Sequence, residues 1–291
     1  MLTPIPLAFA LVLQGYMKKE TSTLDFASPD GHFRLHAALS SELSTFADPP
    51  CTMTGKGAYE LFKDDASVWR REFDFALDEA RVLSDGSVAG IGYGEIMARD
   101  QEAVRIVLIT PNGTLRVDQR LGIELLGRDT LGCIEHARGW SIDEEQHRLT
   151  TWYWIVSQGR EEWSAFDTTT GRPIPWRPRL DTNGAPFGCG GLAAIPGTGL
   201  TLIHAWIRAE RPTLFRSTYA LLDSSGKPIW THRIDADHVE GEPGRAAPGG
   251  NGIVGVEGGA KPSFRVRSFA DTKQVTFELT QDPTTKTWSV R

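Results

Sequence analysis

From Ser28 onward, apolar and polar residues alternate in short runs separated by turn dipeptides. No stretch keeps apolar residues at i, i+3, i+4 and i+7 for long. The pattern predicts a chain of strands. Its best helical candidates are the segments Ala38 to Phe46 and Arg120 to Leu126, either of which also fits an ordered loop.

The strands repeat in pairs. YALLDSSGKPIWTHRI (219–234) shares one plan with GAYELFKDDASVWRREF (57–73), RIVLITPNGTLRVDQRL (105–121) and WSAFDTTTGRPIPWRPRL (163–180), and FRVRSFADTKQVTFEL (264–279) is a weaker fifth copy. Each has an alternating strand, a polar turn and a second strand. Trp69, Trp176 and Trp230 follow the turn, with Val117 in the comparable place. A second series lies between these hairpins: SPDGHFRLHA (28–37), ARVLSDGSVAGIGYG (80–94), SIDEEQHRLTTWYWIV (141–156), GLAAIPGTGLTLIHAWI (191–207) and PGGNGIVGVEG (248–258). With Asp30, Asp85, Asp143, Gly197 and Asn251 as markers, its period is 54 to 58 residues. Asp65, Asn112, Thr169, Ser224 and Thr272 give 47 to 57 for the first series. Two interleaved series of five hairpins predict about twenty strands in five groups of four, which is the logic of a five-bladed β-propeller. The competing fold is a pair of β-sandwiches, which does not explain the alternation of hairpin types.

At Asp223, Gly226 and Trp230 the D-x-x-G-x-x-x-W run resembles the strand-turn-strand of a PQQ-like repeat. The S-P-D-G and S-D-G turns at 28–31 and 84–86 are similar to those of WD40-like blades. The resemblance covers residues 28–291 and implies the propeller fold. The chain has no paired G-H and W-D signature and is far shorter than the eight-bladed quinoprotein dehydrogenases, so PQQ binding is not carried over, and no cofactor is expected.

A length of 291 residues permits one large β domain, here residues 25–291, or two ordinary ones. Residues 1–24 read as a signal peptide or a closing strand: Ile5 to Leu13 is almost wholly apolar, too short to span a bilayer as a helix, and not preceded by a basic residue. Export to the periplasm or outside the cell is the favoured reading, with the cytoplasm as the other. The formal charge of −6 and the lack of any Lys/Arg run argue against a nucleic-acid partner. Cys51, Cys133 and Cys189 lie far apart without C-x-x-C spacing, which predicts no zinc site. Cys133 and Cys189 stand one period apart, as packed thiols or as a disulfide between neighbouring blades.

No G-x-S-x-G, P-loop, H-E-x-x-H or EF-hand motif is present. A propeller site is assembled from separate blades, and the segments expected to line its channel run near Asp78 to Val82, Cys133 to His136, Cys189 to Ala193 and Gly249 to Ile253. Asp78, Glu79, Glu135 and His136 are therefore the candidate catalytic residues, against the alternative of solvated loop charges and a backbone-satisfied polar pair. Trp140, Trp152, Trp154 and Trp206 read as packing between sheets, and His204 as a strand residue tied to a neighbour. The expectation is a monomeric, non-enzymatic binding or scaffold propeller that takes a protein or extracellular ligand on one face. The alternatives are a propeller glycoside hydrolase with channel carboxylates, and an assembly module with an apolar patch.

Overall fold

The computed structural model describes residues 17–44, 52–94, 104–121, 138–155, 160–180, 187–208, 214–239, 252–267 and 274–291. Among these residues there is no helix, and twenty strands form five antiparallel sheets of four, each built from consecutive strands. Sheet I contains β1 (Met17–Ala27), β2 (Phe33–Ser44), β3 (Thr52–Lys63) and β4 (Ala66–Phe73). Sheet II contains β5 (Phe75–Val82), β6 (Val88–Gly94), β7 (Val104–Ile109) and β8 (Leu115–Leu121). Sheet III contains β9 (Arg138–Asp143), β10 (Arg148–Ile155), β11 (Arg160–Asp167) and β12 (Pro173–Ile174). Sheet IV contains β13 (Phe187–Ile195), β14 (Leu200–Arg208), β15 (Leu214–Leu222) and β16 (Pro228–Val239), and sheet V contains β17 (Ile253–Glu257), β18 (Ser263–Arg267), β19 (Gln274–Gln281) and β20 (Trp288–Val290). The chain divides into two compact units, Met1–Ile134 with sheets I and II and Glu135–Arg291 with sheets III to V.

The helical candidates are corrected. Ala38 to Ser44 lies in β2, paired on both sides by β1 and β3, and Arg120 and Leu121 end β8. Buried Leu35, Ala37 and Leu39 alternate along β2, so the period of two outweighs the helix propensity of its Ala and Leu residues. β1 begins at Met17 and runs through residues 24 and 25.

Four of the tight turns share one chemistry. The carboxylates of Asp85, Asp167, Asp223 and Asp282 accept the backbone N–H of Ser87, Thr170, Ser225 and Thr284 at 2.7 to 2.9 Å. Gly226 takes φ +81°, and any Cβ there would lie 2.3 Å from the Arg177 carbonyl oxygen, so the turn requires glycine twice over. In sheet V the turns fall later than the markers suggest. β17 turns into β18 after Glu257, and β19 into β20 after Gln281, whereas residues 268–273 join β18 to β19 and Asn251 and Thr272 lie outside the described residues.

The core sits between faces of successive sheets. Leu35, Leu61, Trp69, Leu77 and Ile109 join sheets I and II; Trp152, Trp176, Ile203 and Leu222 join III and IV; Leu202, Leu221, Ile253 and Phe264 join IV and V. The post-turn tryptophans belong to this packing. Leu61 pairs with Trp69, Leu108 with Val117 and Leu221 with Trp230, each beside a one-residue bulge, so the three positions are structural equivalents. Trp69 lies against Gly113, and Trp230 packs edge-on to Phe264 and Phe277.

Candidate functional site

The first strand of sheets II, IV and V carries a β-bulge at the same place. The register shifts between Leu77 and Glu79 in β5, between Cys189 and Gly191 in β13, and between Ile253 and Gly255 in β17. A bulge turns backbone groups out of the ladder, and these groups then need partners elsewhere. The preceding sheet supplies them through buried polar side chains.

Between sheets I and II one hydroxyl does both jobs. Tyr59 of β3 donates to the Phe75 carbonyl at 2.9 Å and accepts from the Leu77 N–H at 3.0 Å. Between sheets IV and V the work is divided: His204 Nδ1 accepts the Gly252 N–H at 3.3 Å, and Tyr219 donates toward the Gly252 carbonyl at 3.3 Å and the Arg267 carbonyl at 2.7 Å. His204 stacks on Tyr219 with ring centroids 4.8 Å apart. Burial holds the imidazole down at about 4 and pushes both phenols above their usual range, so all three are neutral near pH 7.

Between sheets III and IV the same task falls to Trp152 and Glu161. The Trp152 indole N–H donates to the Cys189 carbonyl at 3.1 Å, and Glu161 Oε1 accepts the Cys189 N–H. The register counterpart of Tyr59 and Tyr219 is Trp163, which leaves the clasp to Glu161, two residues away on the same face of β11. This substitution has a chemical consequence. A tyrosine hydroxyl is used up by one donated and one accepted bond, whereas a carboxyl has a second oxygen. Glu161 Oε2 is shut off from solvent and has no hydrogen-bond partner among the described residues, although the residue as a whole is half-buried. Burial pushes the carboxyl up to about 8, and the Cys189 N–H and the Trp163 indole only partly pull it back. Glu161 is thus a carboxylic acid at neutral pH. Trp152 and Trp163 stack beside it at 5.3 Å, and the Cys189 thiol is free, buried and held above its ordinary range by burial and by the carboxyl.

Of the four expected site residues, Asp78 is the extra residue of the β5 bulge and Glu79 is exposed on β5. Glu135 and His136, like Cys133, lie outside the described residues. The described residues therefore do not bring the four together. Sequence reasoning passed over Glu161, although the alternation of Glu161, Trp163 and Ala165 on one face of β11 was available to find it. His204 stands as expected, tied to its neighbours. Among the described residues no group of three or more His, Cys, Asp or Glu is placed to hold a metal ion.

No protein-family model matches the sequence, and no curated protein does. Solved structures do. One, from a study of two prolyl endopeptidases, is 11% identical over 94% of this chain with a TM-score of 0.45, and the chain spans 42% of its length. A second, from work on GH130 glycoside hydrolases that target β-1,2-mannosidic linkages in Candida mannan, is 11% identical over 92% of this chain and 86% of its own, with a TM-score of 0.33. The β-propeller domain of the trilobed protease from Pyrococcus furiosus is 10% identical over 93% of this chain and 82% of its own, with a TM-score of 0.36. Proteases and glycoside hydrolases stand among these neighbours, and the expectation of a non-enzymatic scaffold is corrected. At these identities and TM-scores the likeness assigns no activity to this chain.

Proposed function

We propose that the five sheets are the blades of one β-propeller and that the protein is a hydrolase of glycosidic bonds in which Glu161 is the proton donor. The recurrence of one clasp at the first-strand bulge supports the blade reading, because it shows the same neighbour relation built three times. The observation that carries the chemistry is the buried carboxyl of Glu161, pushed up by burial to about 8, whose Oε2 makes no hydrogen bond among the described residues. Oε2 is shut off from solvent, so a substrate must first displace the atoms that cover it; the acid then gives its proton to the glycosidic oxygen as the C–O bond breaks. A water molecule adds its hydroxyl to the anomeric carbon and passes its proton to a second, ionised carboxylate.

The test is a panel of plant, fungal and bacterial glycans hydrolysed by the full chain and by Glu161→Gln. Glutamine keeps the carbonyl that accepts the Cys189 N–H but carries no acidic proton, so the expected loss is about 10²- to 10⁴-fold with the fold intact. Hydrolysis that survives Glu161→Gln within a few-fold removes Glu161 from the mechanism, and a wild-type chain inert on every glycan overturns the reading itself.

A further inference from the structure

We infer that Trp152 is a positioning residue that fixes the proton of Glu161 on Oε2, an inference that rests on the hydrolase reading of that carboxyl. Cys189 sits in the run Gly188-Cys189-Gly190-Gly191, so the backbone around it has no side-chain stiffness of its own. At the bulge both its N–H and its C=O are turned toward sheet III. If the C=O were loose, rotation about the Cys189 backbone would carry the N–H away from Glu161. The Trp152 indole N–H holds that C=O at 3.1 Å.

The indole cannot drift. It is buried, stacked on Trp163, and seated over Gly139, where an added Cβ would fall 2.1 Å from the ring. Its grip keeps the Cys189 N–H aimed at Oε1. An N–H donor selects the carbonyl oxygen of a carboxylic acid, because the hydroxyl oxygen is the weaker acceptor, and the acid proton is then left on Oε2. In sheets I and II the corresponding clasp is a single tyrosine hydroxyl with both functions consumed. Splitting the clasp between a donor-only indole and a two-oxygen acid is what frees one oxygen for chemistry.

The titratable groups near Glu161 among the described residues are the Cys189 thiol, raised by burial, and His204, whose ring lies against Gly190 and is neutral. Neither ionises near Glu161, so its titration is read cleanly. The experiment follows the Glu161 carboxyl by carbon-13 NMR of glutamate-labelled protein, assigned with Glu161→Gln. In Trp152→Phe, which keeps an aromatic ring and removes the N–H, the midpoint is expected to rise by about one pH unit, the equivalent of one charge-assisted hydrogen bond lost from the ionised form. kcat is expected to fall with KM unchanged. An unchanged midpoint, or one that falls toward the ordinary carboxylate range as water enters, overturns positioning and leaves Trp152 as packing. A measurement on the wild-type chain needs no variant: the Trp152 indole proton resonance is expected to shift as Glu161 ionises, and a resonance blind to that ionisation also overturns the inference. Failure of Glu161→Gln to affect hydrolysis removes Glu161 from the chemistry and leaves the positioning tested on its own, because the titrations report on the hydrogen-bond chain without substrate.

Discussion

At the scale of residues, two buried groups lean in opposite directions with pH. Glu161 is raised from an ordinary carboxyl value to about 8, so the folded state keeps a proton that the unfolded chain releases. Stability therefore declines as pH rises from the unfolded value toward 8, by roughly 1.4 kcal/mol per unit at most. His204 is lowered from 6.5 to about 4, so the unfolded chain binds a proton that the folded state refuses, and stability declines as pH falls from 6.5 toward 4. Where the windows overlap, the two slopes oppose each other. Urea denaturation across pH is expected to show a plateau from about pH 4.5 to 6.5 and a decline from there to about 8 from these groups. Glu161→Gln is expected to abolish the alkaline decline. A wild-type slope retained in that variant would mean that Glu161 is not the group titrating. The carboxyl was legible only as an inward-facing position on β11, because nothing local in Arg160-Glu161-Glu162-Trp163 shows which backbone it will meet.

At the scale of elements, the bulge and its clasp form a unit that holds one sheet to the next. Tyr59→Phe removes the acceptor of the Leu77 N–H and the donor to the Phe75 carbonyl, leaving buried backbone groups unpaired. The expected cost is about 1–3 kcal/mol, read from denaturation midpoints, with faster hydrogen exchange at the Leu77 amide. An amide that keeps its protection would show that the ladder, not the tyrosine, holds it. Hairpins were the most legible elements, since their turn aspartates act on amides two to four residues away. In sheet V the repeat was read half a unit out of phase: Asn251 and Thr272 look like turn residues, but the tight turns follow Glu257 and Gln281. Turn chemistry marks a bend without saying which two strands it joins.

At the scale of the molecule, no sheet takes a strand from another among the described residues, and within each unit successive sheets are joined by side-chain packing, the clasps and contacts such as the Arg179 N–H to the Gly226 carbonyl. Within Glu135–Arg291, damage at one junction is therefore expected to stay near it. Trp176 packs against Gly226 and under the Arg148 guanidinium, 3.9 Å from the ring centroid. Trp176→Ala is expected to cost about 3–5 kcal/mol and to lower exchange protection in sheets III and IV more than in sheet V. An equal loss in sheet V would show that the three sheets unfold as one.

The sequence by itself determined most of the strands and, outside sheet V, their grouping in fours, because period-two burial and turn hydrogen bonds act over a few residues. Tertiary structure alone decided the chemistry of Glu161. Its Oε1 partner, Cys189, is 28 residues further along the chain, and the indole that holds that partner lies 37 residues before it. Burial and the lack of a partner for Oε2 arise only when sheets III and IV pack, and they turn an ordinary strand glutamate into a protonated acid.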